Sequence, residues 1–369
     1  MLIGSNSKYL LKQTRAKAKM YEYNVPNELH IAVEDNLDEL LLIAIAAIGN
    51  ISAQVLHENN PYRIIPTDKK EELKFASHYF DAFLQSKLSP NYPDYYLILG
   101  AVAYYLCDFN GSAKVMADMI DATKINLNCN GIEKLLTLLL QDKLDSNKLN
   151  STYCESPYID YLLQVTNAYE ACFHQHKTPK LDFVSNFRTL IYAQGSPREL
   201  LLTDSLLAIL LIKIERSATN LLPAYSGLAR EYWDGMLKNP KSIHELWPAQ
   251  IRLGEAGVFS GKSAIIQMPT SSGKTTSMSI AIRSSFLSGR ASMAIVVAPF
   301  RSLCREISAD ISNDFLDDPH VHINEFSDIP EMDDLRTLLS LNGVDSKNYN
   351  GPVISDHRSK KYREHGKIQ

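Results

Sequence analysis

The stretch from Ser263 to Ala298 constrains the fold of this 369-residue chain more than any other. "SAIIQM" (Ser263 to Met268) is a short apolar run suited to a buried parallel strand. "PTSSG" follows as a turn, and "KTTSMSIAIRSSFLSG" reads as a helix ending at Gly289. "SMAIVVA" (Ser292 to Ala298) then carries the β-branched residues that a second buried strand prefers. Strand, turn, helix, strand in this order predicts a right-handed crossover between parallel strands.

The turn also carries chemistry. The strict phosphate-loop pattern is G-x-x-x-x-G-K-[ST], and here Met268 stands in place of the first glycine. That glycine only begins the turn, which Pro269 can shape by fixing φ. A triphosphate is held mainly by consecutive backbone N–H groups at a helix start, aided by the positive end of the helix dipole. The expected cup comprises Thr270, Ser271, Ser272, Gly273, Lys274, Thr275 and Thr276. Gly273 keeps the position of closest approach free of a side chain. Lys274, the expected catalytic residue, brings a point charge to the β and γ phosphates, and the Thr275 hydroxyl is placed to ligate magnesium. ATP and Mg are therefore the expected cofactors. The competing reading, an accidental Gly-Lys-Thr in a serine-rich turn, is disfavoured by the flanking strands.

The rest of the chain has a different texture. Residues 1–235 read as a helical domain. "NLDELLLIAIAAIGNISAQVLHEN" starts at a cap candidate, Asn36, and its apolar face is too wide for a surface helix. "KKEELKFASHYFDAFLQSKL" places Leu73, Ala76, Phe80 and Phe83 at helical spacing. "DYYLILGAVAYYLCDFNGSAKVMADMIDA" reads as a helical hairpin broken at "DFNG". It has a tetratricopeptide flavour, but no such unit recurs at a fixed period. Seventeen of the nineteen tyrosines lie before residue 236, where they are expected to seal packing seams rather than to stack bases. "CFHQHK" gathers Cys172, His174 and His176, but the spacing matches no standard zinc arrangement and reads as a helix end and loop.

Composition excludes little. A net charge of −4 announces neither nucleic acid nor membrane, so any basic surface must be local. Five scattered cysteines (107, 129, 154, 172 and 304) favour a reducing, cytoplasmic setting. The first twenty residues are too polar for a signal peptide, and the longest apolar stretches, Leu40 to Gly49 and Leu206 to Ile214, are too short to span a membrane. "WDGMLKNPKSIHELWPAQ" is rich in turn formers and reads as a linker. The expected division is 1–235 helical, 236–250 linker and adenine-reading segment, 251–345 nucleotide-binding, and 346–369 polar tail.

With these elements in place, the second part of the chain resembles the first RecA-like domain of superfamily 2 DExH/DEAD-box helicases. "PTSSGKT" is similar to a motif I variant of that branch, and "LWPAQ" (Leu246 to Gln250) resembles the segment whose glutamine reads the adenine edge. The resemblance implies that role for Gln250, whose amide offers both a donor and an acceptor. "VVAPFRSLCREI" (Val296 to Ile307) is similar to motif Ia, P-x-R-A-L, with Pro299, Arg301 and Leu303 matching and Ser302 replacing the alanine. It implies contact of Pro299, Phe300 and Arg301 with the sugar-phosphate backbone of a nucleic-acid strand. The implied fold class is α + α/β, a large all-helical amino-terminal domain followed by an incomplete RecA-like (P-loop) parallel-sheet domain. The same run of motifs after a long helical region resembles the helicase subunit of Hachiman-type bacterial antiphage systems. That narrower resemblance implies antiviral defence, DNA as partner and a partner nuclease.

The magnesium-binding D-E-x-H motif of such enzymes is not recognisable. "DDPH" (Asp317 to His320) follows a polar helix and arrives too soon after motif Ia, and "SDHRSKKYREHG" is read as lacking a preceding strand. The expectation is therefore a truncated or split product, or a fragment of a longer helicase. The rival is a helical docking module that binds a partner protein and carries a degenerate ATPase remnant.

Overall fold

A computed structural model describes residues 5–32, 37–57, 63, 65–85, 93–144, 156–239, 243–269, 272–324 and 353–356. The chain divides into two compact units, Met1–Glu215 and Arg216–Gln369. The division falls ahead of the composition change near residue 235.

The described residues of the first unit form helices joined by turns and irregular backbone. Its helices are α1 (Ser5–Glu22), α2 (Leu37–Val55), α3 (Thr67–Gln85), α4 (Pro93–Leu106), α5 (Asn110–Asp118), α6 (Ile132–Leu140), α7 (Ile159–Phe173), α8 (Phe183–Gln194) and α9 (Pro197–Glu215). Asn36, the expected cap of α2, lies outside the described residues. In α3, Leu73, Ala76, Phe80 and Phe83 are all buried, as their spacing predicts. The expected hairpin is α4 and α5, and the chain reverses at Asp108, which takes a positive φ of 71°. Gly100 explains how closely these helices pack: a Cβ there would collide with Met116 Sδ and lie 2.9 Å from Phe80 Cβ.

Helix α9 forms the centre. It is buried on every side from Leu201 to Ile214 and packs on α2, α4, α6, α7 and α8. An all-apolar helix would suffice there, yet this one carries Asp204 and Lys213. A buried charge is tolerable only when paired and hydrogen-bonded. Asp204 receives Arg188 Nε and Nη2 at 2.7 and 3.0 Å, together with the Tyr192 hydroxyl at 3.2 Å. Lys213 Nζ donates to Asp142 Oδ1 at 2.7 Å and sits 5.1 Å from the centre of the Tyr105 ring.

Several tyrosines of this unit line seams, whereas Tyr9, Tyr23 and Tyr192 are exposed. Tyr79 and Tyr105 are buried, Tyr96 stacks on Phe83 at 4.8 Å, and Tyr161 stacks on Phe187 at 4.9 Å. Cys172 is buried in the helical core, and His174 meets the Tyr169 ring edge-on at 5.8 Å. Among the described residues no group of three or more His, Cys, Asp and Glu side chains is gathered as metal ligands. Burial pushes the Cys107 and Cys129 thiols up to about 12. Among the described residues, no helix is long and apolar enough to cross a membrane.

The second unit contains α10 (Ala218–Ser226), α11 (Asp234–Lys238), α12 (Pro248–Glu255), α13 (Lys274–Leu287) and α14 (Arg301–Asp314). Its described strands are β1 (Met293–Ile295), β2 (Val321–Asn324) and β3 (Val353–Asp356). The segment read as a linker is instead packed. Trp233, Met236, Leu237 and Leu246 join Ala218, Leu222, Phe259 and Ile280 in one core, and Trp233 Nε1 donates to Ser226 Oγ at 3.3 Å.

Three expectations need correction here. The described strands form an antiparallel sheet in the order β1-β3-β2, not a parallel one, with Ala294 opposite Ile354 and Ile323 opposite Ile354. The segment Ser263–Met268 is not a strand: Ile265 is fully exposed and Ile266 nearly half exposed, with no neighbouring ladder among the described residues. A buried-strand composition cannot form a strand without a partner to satisfy its backbone. Finally, Val353–Asp356, placed in the polar tail, is the middle strand of the sheet.

Removing Arg188 while keeping Asp204 tests the inner ion pair. Breaking a buried pair by deleting one partner costs about 3–5 kcal/mol. Arg188→Ala is expected to lower the urea midpoint of the first unit's transition, and Arg188→Ala with Asp204→Leu to recover most of the loss.

Candidate functional site

Helix α13 owes its start to Gly273, whose φ of 82° and ψ of 38° place it in the left-handed region that favours glycine. Ser277 N–H donates to the Gly273 carbonyl at 2.9 Å and Ser277 Oγ donates to the same oxygen at 2.8 Å. These bonds close the first turn and leave the amides of Lys274, Thr275 and Thr276 without intrahelical acceptors, as at any helix start. Ser272 Oγ donates to the Pro269 carbonyl at 2.7 Å, folding the loop back on itself. Lys274 is exposed, Thr275 and Thr276 are half-buried, and the first turn holds no acidic residue. Such a helix mouth suits an anion. Thr270 and Ser271 lie outside the described residues.

Gln250 meets this loop from the side. Trp247 precedes α12 with extended backbone, and Pro248 occupies the first turn, where a missing N–H costs nothing. Gln250 Oε1 accepts the Trp247 N–H at 2.7 Å, and the side chain is only 2% exposed. Its Nε2 faces Gly273: a Cβ on that glycine would lie 2.6 Å away. The structure therefore brings together Gln250 and Gly273, two residues that the sequence reading linked only through resemblance. Oε1 already caps a helix, so only its second lone pair and the Nε2 donor remain for a base edge.

The motif Ia residues open the next helix. Phe300 is extended, with φ of −132°, and is 68% exposed, while Arg301 begins α14 and is exposed. Pro299 lies in the bend just before them. Behind this rim, Ile282 and Phe286 of α13 pack with Val296, Ile311 and Phe315, holding the two helices in one core.

A salt bridge overlooked in the sequence reinforces this arrangement. Arg283, 3% exposed, reaches both Asp317 oxygens, with Nη1 2.8 Å from Oδ2 and Nη2 2.7 Å from Oδ1. Its Nη2 also donates to the Asp314 carbonyl, and its guanidinium lies 4.4 Å from the centre of the Phe315 ring. Asp318 Oδ1 accepts the His320 N–H at 3.2 Å. "DDPH" is thus a turn that anchors α14 to α13, and its first carboxylate is committed to Arg283. Nearby, burial raises the pKa of Asp314, partly countered by the Ser279 hydroxyl and Arg283. A bidentate Arg–Asp pair has no local sequence signature when its members are 34 positions apart.

Residues 247–345 match the family model described as DEAD/DEAH box helicase. This region of the second unit is therefore helicase-like, and the match implies ATP and nucleic acid as the ligand classes of that domain. The matched span begins at Trp247, beside the buried glutamine, and includes the whole of α13 and α14.

Removing the anchor should loosen the site without deleting a phosphate contact. Arg283→Ala is expected to destabilise the second unit by about 3 kcal/mol, the lower end for a broken buried pair, read as a lowered denaturation midpoint. Asp317→Asn, which keeps one acceptor oxygen for the guanidinium, should cost less.

Proposed function

We propose that the chain forms the amino-terminal part of an ATP-dependent helicase or translocase that acts on DNA. The observation that carries this reading is the approach of the Gln250 amide to Gly273 at the mouth of α13, within the helicase-like region. A phosphate-binding glycine alone is a common accident; one packed against a buried glutamine from the expected upstream segment is far less so.

The residues present fit a magnesium-bound triphosphate. The amides of Lys274, Thr275 and Thr276 would donate to phosphate oxygens beside Ser272, and Thr270 and Ser271, outside the described residues, belong to the same proposed set. The Lys274 ammonium would neutralise phosphate charge, and the Thr275 hydroxyl would be the protein's ligand to magnesium. Gln250 would offer Nε2 to the adenine edge while holding the start of α12 through Oε1. When bound, the nucleotide supplies the anhydride bond whose cleavage drives strand movement. Phe300 offers an exposed ring for a base to stack on, and Pro299 and Arg301 shape and charge the rim that meets the phosphate backbone. DNA as the substrate, a role in antiviral defence and a nuclease as partner belong to the same proposal, supported by the narrower Hachiman-type resemblance.

Lys274→Ala is expected to weaken binding of a fluorescent ATP analogue in magnesium about 10–100-fold, since a charge-assisted hydrogen bond contributes about 1.5–3 kcal/mol. Gly273→Ala should lose binding too, because alanine disfavours the positive φ of this position and its methyl would crowd Gln250. Unchanged affinity in both variants, measured by fluorescence titration of the folded chain, would show that the cup is not a nucleotide site.

A further inference from the structure

Helix α1 concentrates positive charge in an acidic chain. It carries Lys8, Lys12, Arg15, Lys17 and Lys19 against a single acidic residue, Glu22, while the protein as a whole has net charge −4. Lys12, Arg15 and Lys19 are all exposed, whereas Leu11, Thr14 and Ala18 between them are buried. At 100° per residue the three cations fall on one narrow stripe, with Arg15 and Lys19 one turn apart. None of the three takes part in an ion pair among the described residues.

An ordinary solvated helix face mixes signs, because opposite charges three or four residues apart support the helix and like charges weaken it. Here the neighbouring cations repel one another, so the stripe is held against local preference. Its surroundings are mixed. Arg15 and Lys74 both act on His78 of α3, lowering its pKa after the larger effect of burial, while Asp81 and Glu71 oppose them. Lys74 is 3.8 Å from Glu71, and Glu22 ends α1. Two exposed aromatics lie on this element and just beyond it, Tyr9 at 54% and Tyr23 at 71% exposed.

We propose that the Lys12–Arg15–Lys19 stripe of α1 is a nucleic-acid contact in the first unit, binding the phosphate backbone of a single strand with Tyr9 and Tyr23 available to stack bases. Cations that follow a backbone together with exposed rings form the usual chemistry of sequence-tolerant single-strand binding. The inference stands on α1 alone and does not require the phosphate cup or Arg301.

The test uses the full chain and a fluorescein-labelled oligo(dT) of about 20 nucleotides, a length that spans at least one such site. Anisotropy is followed across a salt series for wild type, for Lys12→Gln with Arg15→Gln and Lys19→Gln, and separately for Arg301→Ala. Glutamine preserves helix propensity, and an unchanged melting transition verifies the fold. The triple variant is expected to lose at least about tenfold in affinity at low salt, and its log–log salt slope to shrink by about 2, at about 0.7 per phosphate contact. A Lys12→Arg, Lys19→Arg variant should bind as wild type does. Failure of wild type to bind the oligonucleotide at low salt overturns the proposal. So does equal affinity and slope in the triple variant, or stripe-dependent binding to vesicles of phosphatidylcholine and phosphatidylserine with no effect on the oligonucleotide. Loss through Arg301→Ala but not through the stripe overturns it while leaving the motor reading intact.

Discussion

The candidate site depends on α13 being fixed at its start and again further along. At its start, Gly273 turns through a left-handed conformation in a space bounded by Gln250, so helix and glutamine cannot shift independently. Further along, Arg283 ties the same helix to Asp317 and to the carbonyl of Asp314. A guanidinium with two carboxylate contacts and a carbonyl is directional as well as strong. The amides that would meet phosphate are thereby held in place before any ligand arrives, which is how preorganised sites limit the entropy lost on binding.

The first unit solves a different problem. Its central helix is apolar enough to be surrounded, which alone would permit sliding and rotation among equally greasy neighbours. Asp204 and Lys213 restrict those choices, since each buried charge has one acceptable partner position. Glu133 does similar work at the loop before α6, accepting the amides of Leu127, Cys129 and Gly131. Asn128, Asn130 and Gly131 all have positive φ there, a strained turn that the carboxylate stabilises. Burial of charge in this unit is better understood as specifying one arrangement than as adding stability.

Much of the helical fold was legible in the sequence because the period of buried residues is a local property. Leu73, Ala76, Phe80 and Phe83 announce α3, and the "DFNG" break announces the turn between α4 and α5. The start of α13 at Lys274 was legible too, since a glycine turn ahead of a helical run is a local pattern. What escaped was non-local. "SAIIQM" has the composition of a strand, but strands are defined by neighbours, and none of the described segments pairs with it. The polar, basic ending "DHRSKKYREHGKIQ" makes residues 346–369 read as a tail, yet pairing on both edges makes Val353–Asp356 the centre of the sheet. Turn formers around Trp233 suggested a linker, although one fully buried indole outweighs several flexible neighbours. The glutamine's contact with Gly273 likewise appears only in three dimensions.

The place of β3 also governs the order in which the second unit can be made. As the chain leaves the ribosome, the helical unit completes its core only when its last helix, α9, emerges and packs on α2. Strand β1 likewise waits for Val353, on the order of sixty residues later, because neither outer strand pairs with the other. Until that moment Met293–Ile295 and Val321–Asn324 remain as two open edges on a nascent polypeptide, and the sheet closes as a single late event.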